Sequence, residues 1–297
     1  PLFVINMIFY TALSEDEIDN VPKKYKAKFY LRNGILNMKN IRRGVSIIGS
    51  AGSGKTESVV FNFLKHFNGF LQHFQRHGFC GVIHDYKHFE ITEMAYPLFQ
   101  NSDIPFHIIS FDNIYKRVNP IAPRYMVDEE SVNEISRVLL ENLLEQKESG
   151  SYGPSKFFND AVEGLLGGLI WKLKTEHPDY CTLPHLIATY QYLDTEKLVS
   201  FLSSDFTSKA MADAFISGVD SERQTAGVMS TLANALKKIS TQRIFMTLSS
   251  DEIALDINNP EHPSIVSVVN NPKFDTAYSP VIATIIHTIT KQMSVRG

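Results

Sequence analysis

The chain is poor in several things, and each scarcity excludes a class. Its 297 residues include two cysteines, Cys80 and Cys181, and one tryptophan. With no paired metal-ligand spacing, two cysteines exclude a disulfide framework and fit a reducing compartment. No apolar run reaches the roughly 20 residues that a membrane-spanning helix needs. The apolar opening, Pro1 to Leu13, is interrupted by Asn6 and Thr11, and it lacks the charged leader and cleavage site of a signal peptide. Excess charge is missing as well. The formal net charge is -3 and the pI about 6.4, so no overall field grips nucleic acid, and any such affinity must come from local clusters or assembly. Internal repeats and low-complexity tracts are absent. A chain that opens on Pro1 reads as starting inside a longer protein, with any membrane attachment outside these residues.

What is present begins with a core. Hydrophobic residues make up 43% of the chain, enough at this length for two structural units. The sharpest motif is the run Gly49, Ser50, Ala51, Gly52, Ser53, Gly54, Lys55, Thr56, which spells Gly-x-x-x-x-Gly-Lys-Thr. The short apolar segment Val45 to Ile48 reads as a strand entering it, and helical spacing leaves it from Glu57. Glycines at 49, 52 and 54 permit positive dihedrals and leave backbone N–H groups free to converge on one anion. The helix start adds partial positive charge, with Glu57 as its first residue past the motif. Lys55 is expected to meet the β and γ phosphates of ATP, and the Thr56 hydroxyl to ligate Mg.

Elsewhere the chain alternates at first. Phe29 to Gly34 and Ile35 to Met38 read as a hairpin; Phe79 to Ile83 and Phe106 to Phe111 read as buried strands around a helix from Glu90 to Phe99. Helical spacing after the loop runs to about His77, with Gly78 as its cap. From Val127 to Ser249 only amphipathic helices are expected: Ser131 to Lys147, Lys156 to Lys174, Leu183 to Tyr192, Thr195 to Ser203, Ser208 to Ser217 and Arg223 to Leu248. Residues Glu148 to Pro154 form a Gly/Ser/Pro-rich linker among them. A strand returns at Ser264 to Val269, followed by a helix from Pro280 to Met293. The expectation is an α/β fold with a parallel-rich sheet, divided as a nucleotide-binding part over 1–126, an inserted all-α domain over 127–249, and a second nucleotide-binding part over 250–297.

Other constellations are weaker. Asp85, at the end of a strand, is the candidate second Mg ligand, against the plainer reading of a polar loop residue at a sheet edge. Asp251 and Glu252 read as a solvated loop pair. His73 and His77 share a helix face at zinc-enzyme spacing but lack a third ligand, so surface histidines are expected. Phe61, Phe63, Phe67, Phe70 and Phe74 fit core packing at helical spacing. Arg124, Arg223 and Arg243 are each candidates for an arginine acting on a neighbouring copy's nucleotide, and equally for surface or salt-bridged side chains; the sequence does not choose among them.

Taken in order, the phosphate loop, Asp85-Tyr86-Lys87 after a strand, Val118-Asn119-Pro120, the helical stretch carrying Arg223 to Leu232, and Ile265 to Pro272 resemble the TraG/TraD coupling proteins of type IV secretion, most closely those of Bacteroides-type mobile elements, within the HerA/FtsK-like class of ring-forming DNA translocases. The resemblance runs from about Phe29 to the end. It implies a RecA-like P-loop NTPase domain, a homo-hexamer, a membrane tether outside this chain at the bacterial inner membrane, and the delivery of relaxase-bound single-stranded DNA to secretion channel components using ATP. The family pattern after the second strand is Asp-Pro-Lys-Gly, whereas His88 stands here in the glycine position. The family's Asp-Glu strand follows the helix that closes this chain, so the catalytic acids are expected beyond Gly297, and the fragment is expected to hydrolyse ATP poorly. Two rivals share the loop: a P-loop small-molecule kinase, and a nucleotide-gated adaptor that binds without hydrolysis.

Overall fold

The structure is a computed structural model and describes residues 26–31, 33–41, 44–73, 79–144 and 154–295. The chain falls into two compact units, one of residues up to Phe79 with Glu90–Phe106, the other of Cys80–Phe89 with His107–Gly297.

In the first unit, β1 (Ala27–Leu31) and β2 (Gly34–Met38) pair antiparallel, from Ala27 opposite Met38 to Leu31 opposite Gly34. Alternation sorts the hairpin's faces. Ala27, Phe29 and Met38 are buried with Leu36, Ile41, Val45 and Phe63 against them, while Tyr30 and Ile35 face outward. Helix α1 (Phe61–His73) follows a π-helical turn over Thr56–Val60. Phe63 meets Phe29 edge-on at 4.8 Å and stacks on Phe67 at 6.2 Å, so these two rings are packing residues as expected. Helix α2 (Glu90–Phe99) completes the unit, with Phe99 stacked between Phe79 and Phe106.

The expected strand over Val45 to Ile48 does not form. Residues 44–50 have no regular structure, because Val45 packs against the hairpin's small core and Ile48 is left 77% exposed. Gly78 and His77, and with them the helix cap and the histidine pair, lie outside the described residues, as does most of the 148–154 linker.

The second unit is built on a parallel sheet in the order β3 (Gly81–Asp85), β5 (Ile265–Val269), β4 (Phe106–Ile109). Gly81 is opposite Ile265 and Asp85 opposite Val269. Every residue of β5 is buried, as a central strand covered on both faces requires. Helices follow: α3 (Glu129–Leu143), α4 (Pro154–Glu176), α5 (Leu183–Tyr192), α6 (Thr195–Ser203), α7 (Phe206–Met211), α8 (Asp213–Ile216), α9 (Glu222–Lys237), α10 (Gln242–Thr247) and α11 (Asp275–Val295). Side-chain caps set several starts: Asp128, Thr182, Asp194, Asp205 and Thr241 each accept a backbone N–H three residues on. Two stretches expected as single helices are split, at Ala212 and over Lys238 to Thr241. In the second case the Thr241 side chain accepts from Ile244 N–H and starts a new helix, so a local hydrogen bond overrides continuous apolar spacing.

Helix α4 is central. Val162, Leu165, Leu166, Leu169 and Ile170 have no exposed surface, and they share one apolar core with Ile109, Val266 and Val268 of the sheet. Burial all round departs from the expected amphipathic pattern. Among the described residues no helix is long and apolar enough to cross a membrane.

Glycines let α7 and α8 close on α4. A Cβ at Gly164 would lie 2.3 Å from the Met211 carbonyl oxygen, and backbone must move to relieve that contact. Gly164→Ala should therefore lower stability by about 1–3 kcal/mol despite alanine's better helix propensity, read as a lower denaturant midpoint. A midpoint equal to or above that of the wild type would refute this packing.

Candidate functional site

The glycine loop is at the surface of the first unit. Its backbone takes left-handed values at Gly52 (φ +73°) and Gly54 (φ +75°), which cost a residue with a side chain about 1 kcal/mol or more. Gly49 is required by space instead: a Cβ there would stand 2.8 Å from Ser53 Oγ and 3.3 Å from Lys55 Cδ. Ser53 N–H donates to the Ser50 carbonyl at 3.3 Å and Ser58 N–H to the Gly54 carbonyl at 2.9 Å. Lys55 Nζ folds back over the loop, donating to the Gly49 carbonyl, to the Ser50 carbonyl at 2.7 Å and to Ser53 Oγ at 3.3 Å. The ammonium is thus held against the turn. Ala51 and Glu57 are exposed, and half-buried Thr56 opens the π-helical turn. A tight glycine turn, a fixed ammonium and a hydroxyl at a helix start form a donor set that fits a nucleoside triphosphate with magnesium.

Asp85 belongs to the second unit. It ends β3 with no exposed surface, and its carbonyl accepts Asn270 N–H at 2.8 Å, so it is enclosed at the strand end rather than lying in a sheet-edge loop. The turn that follows is strained. His88 has φ +50° and Phe89 φ +71°, so the position where the resembled family carries glycine is left-handed here without one. His88 N–H donates to the Asn270 carbonyl at 3.1 Å, and its Nε2 is 3.4 Å from Asp112 Oδ2.

Asp112, just past β4, collects hydrogen-bond donors from three segments. Arg243 Nη1 on α10 reaches Oδ1 at 2.8 Å, the Tyr278 hydroxyl on α11 reaches Oδ1 at 2.9 Å, and Asn271 Nδ2, just past β5, reaches Oδ2 at 2.9 Å. Burial by itself would raise the Asp112 pKa. The hydrogen bonds from Asn271 and Tyr278, together with Arg243 and His88, outweigh it and hold the carboxyl below the usual carboxylate range. Sequence reading missed Asp112, Asn271 and Tyr278. The available signal was position, since Asp112 and Asn271 directly follow the C-terminal ends of strands, where open α/β sheets receive ligands.

Of the three arginine candidates, Arg124 is engaged internally: Nη1 and Nη2 both bond Asp251, Nη2 also donates to the Tyr125 hydroxyl at 2.7 Å, and the guanidinium lies over the Tyr125 ring. Arg117 binds Glu252 through both its backbone N–H (2.8 Å) and its side chain (3.2 Å). Asp251 and Glu252 lie exposed in a loop, as expected, and each is paired there with one of these arginines. Arg223 is exposed in the first turn of α9. Burial raises both thiol pKa values, pushing Cys181 up to about 12, so neither cysteine is a nucleophile at neutral pH. Among the described residues no group of three or more His, Cys, Asp or Glu is placed to hold a metal ion.

No protein-family model and no curated sequence matches the chain. Among solved structures it is similar to a bacterial conjugative coupling protein, TrwBdeltaN70 in an unbound form, with a TM-score of 0.57 and 10% identity over 82% of this chain. The two share a fold. It is the RecA-like α/β fold, here with its helical array inserted between β4 and β5. This chain spans 50% of the length of that protein.

Because Asp112 has a depressed pKa in the folded state, its contribution to stability is complete above the unfolded carboxylate value of about 3.9 and is lost as pH falls through the lower folded value. Asp112→Asn should be less stable than wild type at pH 7, and the gap should narrow below about pH 4, measured by denaturant unfolding across that range. A gap constant from neutral to acid pH would contradict the assignment.

Proposed function

We propose that this chain is the ATP-binding part of a conjugative coupling protein, an ATP-driven motor that passes relaxase-bound single-stranded DNA to a type IV secretion channel. The observation that carries the reading is the loop of residues 49–56, a complete Gly-x-x-x-x-Gly-Lys-Thr motif whose glycines stand where a left-handed turn or a close approach of Lys55 demands them. The likeness in fold to a protein described as a conjugative coupling protein supports it.

On this reading the N–H groups of residues 49–57 receive the phosphate chain, and Lys55 exchanges its loop carbonyls for β and γ phosphate oxygens. Thr56 would hold magnesium through its hydroxyl. When bound, the ion neutralises charge shared between the β and γ phosphates. The nucleotide-binding parts are 1–126 and 250–297, and 127–249 is an inserted all-α domain. The full-length protein works as a homo-hexamer on the cytoplasmic face of the bacterial inner membrane, tethered through a segment outside this chain.

Lys55→Ala should weaken Mg-ATP binding at least about tenfold and leave the melting temperature unchanged, because the side chain serves a surface loop. Wild-type affinity in this variant would reject the loop as a phosphate cradle. In the full-length protein, single-stranded DNA should raise the rate of phosphate release. Phosphoryl transfer to a small acceptor, without stimulation by DNA, would favour a kinase instead.

A further inference from the structure

Arg243 differs from Arg124 in how much of its fork is committed. Its bonds among the described residues run through Nη1 alone, to Asp112 Oδ1 at 2.8 Å and the Tyr278 hydroxyl at 3.5 Å. The side chain is 54% exposed. One nitrogen therefore anchors the guanidinium while the Nε and Nη2 edge stays available. The plane is steadied further by Phe274, whose ring centroid lies 5.0 Å from Arg243 Cζ.

A second basic side chain is near. Lys273 Nζ lies 5.5 Å from the centroid of the same Phe274 ring, and Lys273 is exposed. His88, 46% exposed, leans on Asp112 from the other side. Two carboxylates on this rim have hydrogen-bond partners of their own: both Asp112 oxygens accept hydrogen bonds, and Asp275 accepts from Asn270 and Ser279. The cluster sits at the C-terminal ends of β3, β4 and β5, the edge on which open parallel sheets bind ligands.

The geometry points to an oxyanion-receiving site on this edge, in which Arg243 presents its Nε and Nη2 edge to a phosphoryl group with Lys273 and His88 beside it. A planar fork with two parallel N–H donors matches two phosphoryl oxygens, and Lys273 adds a second positive charge nearby. Asp112 and Tyr278 are positioning residues that aim the arginine. The choice of phosphate rests on the function proposed above, and two sources share that chemistry: a nucleoside triphosphate and the backbone of a single strand.

The test measures the affinity of a fluorescent ATP analogue with magnesium, and of a labelled single-stranded oligonucleotide, for the wild type, Arg243→Ala, Arg243→Lys and Lys55→Ala, alongside melting temperatures. Arg243→Ala should lose about tenfold or more for at least one ligand, and Arg243→Lys should recover only part of it, since an ammonium lacks the fork. Loss confined to the ATP analogue identifies the nucleotide as the source; loss confined to the oligonucleotide identifies the strand. Unchanged affinity for both ligands in a folded Arg243→Ala protein overturns the site. Should that variant not fold, Arg243→Lys decides: a several-fold loss supports the site and full affinity for both ligands overturns it. Lys55→Ala reports separately on the phosphate loop, so ATP binding that survives it would sink the loop reading whatever Arg243 does.

Discussion

The pairing of β3 with β5 is the constraint from which the second unit follows. These strands come from distant parts of that unit's sequence, and their parallel register, Gly81 against Ile265 through Asp85 against Val269, closes a loop containing β4 and α3 to α10. Such a contact carries a large closure entropy and returns little until the faces of β5 are covered. The cover comes from the core that Val266 and Val268 share with Ile109 and α4. Sheet and helices are therefore one apolar assembly, and the sheet has no buried faces without them.

Closing that sheet brings distant polar groups to one edge. Asp85, Asp112 and Asn271 lie at or just past three different strand ends, and α10 and α11 add Arg243 and Tyr278. The strain of His88 and Phe89 is held at this same edge. Two left-handed residues cost about 1–2 kcal/mol each, while a hydrogen bond to a charged group returns about 1.5–3 kcal/mol. The turn is tied back by the His88 N–H bond to the Asn270 carbonyl at 3.1 Å. Strain at such a position is characteristic of ligand-binding edges.

The likeness to a coupling protein at 10% identity shows how little of a fold depends on particular residues. Apolar patterning and strand order survive when most side chains differ, because a core needs volume and periodicity more than identity. Chemistry is less forgiving and lives in sites. The loop of residues 49–56 meets its backbone demand with glycine at fixed positions, whereas the turn after β3 takes a left-handed backbone at His88 and Phe89 without glycine.

Features built from neighbouring residues were legible in the sequence. The tight glycine turn of residues 49–56 could be read because its residues are consecutive, and α5 and α6 because Thr182 and Asp194 cap them beside a clear apolar spacing. The class and the run of helices between β4 and β5 followed from the change of period along the chain. Val45 to Ile48 was misread because apolar composition cannot say whether a segment joins a sheet or packs on a hairpin. The place of β5 between β3 and β4, the burial of α4 on all sides, and the convergence on Asp112 were beyond local reading, since each joins segments far apart in the chain. Periodicity and capping act over a few residues and are written locally; strand order and the gathering of charges at a sheet edge are set by which surfaces exclude water together, and only the folded chain decides that.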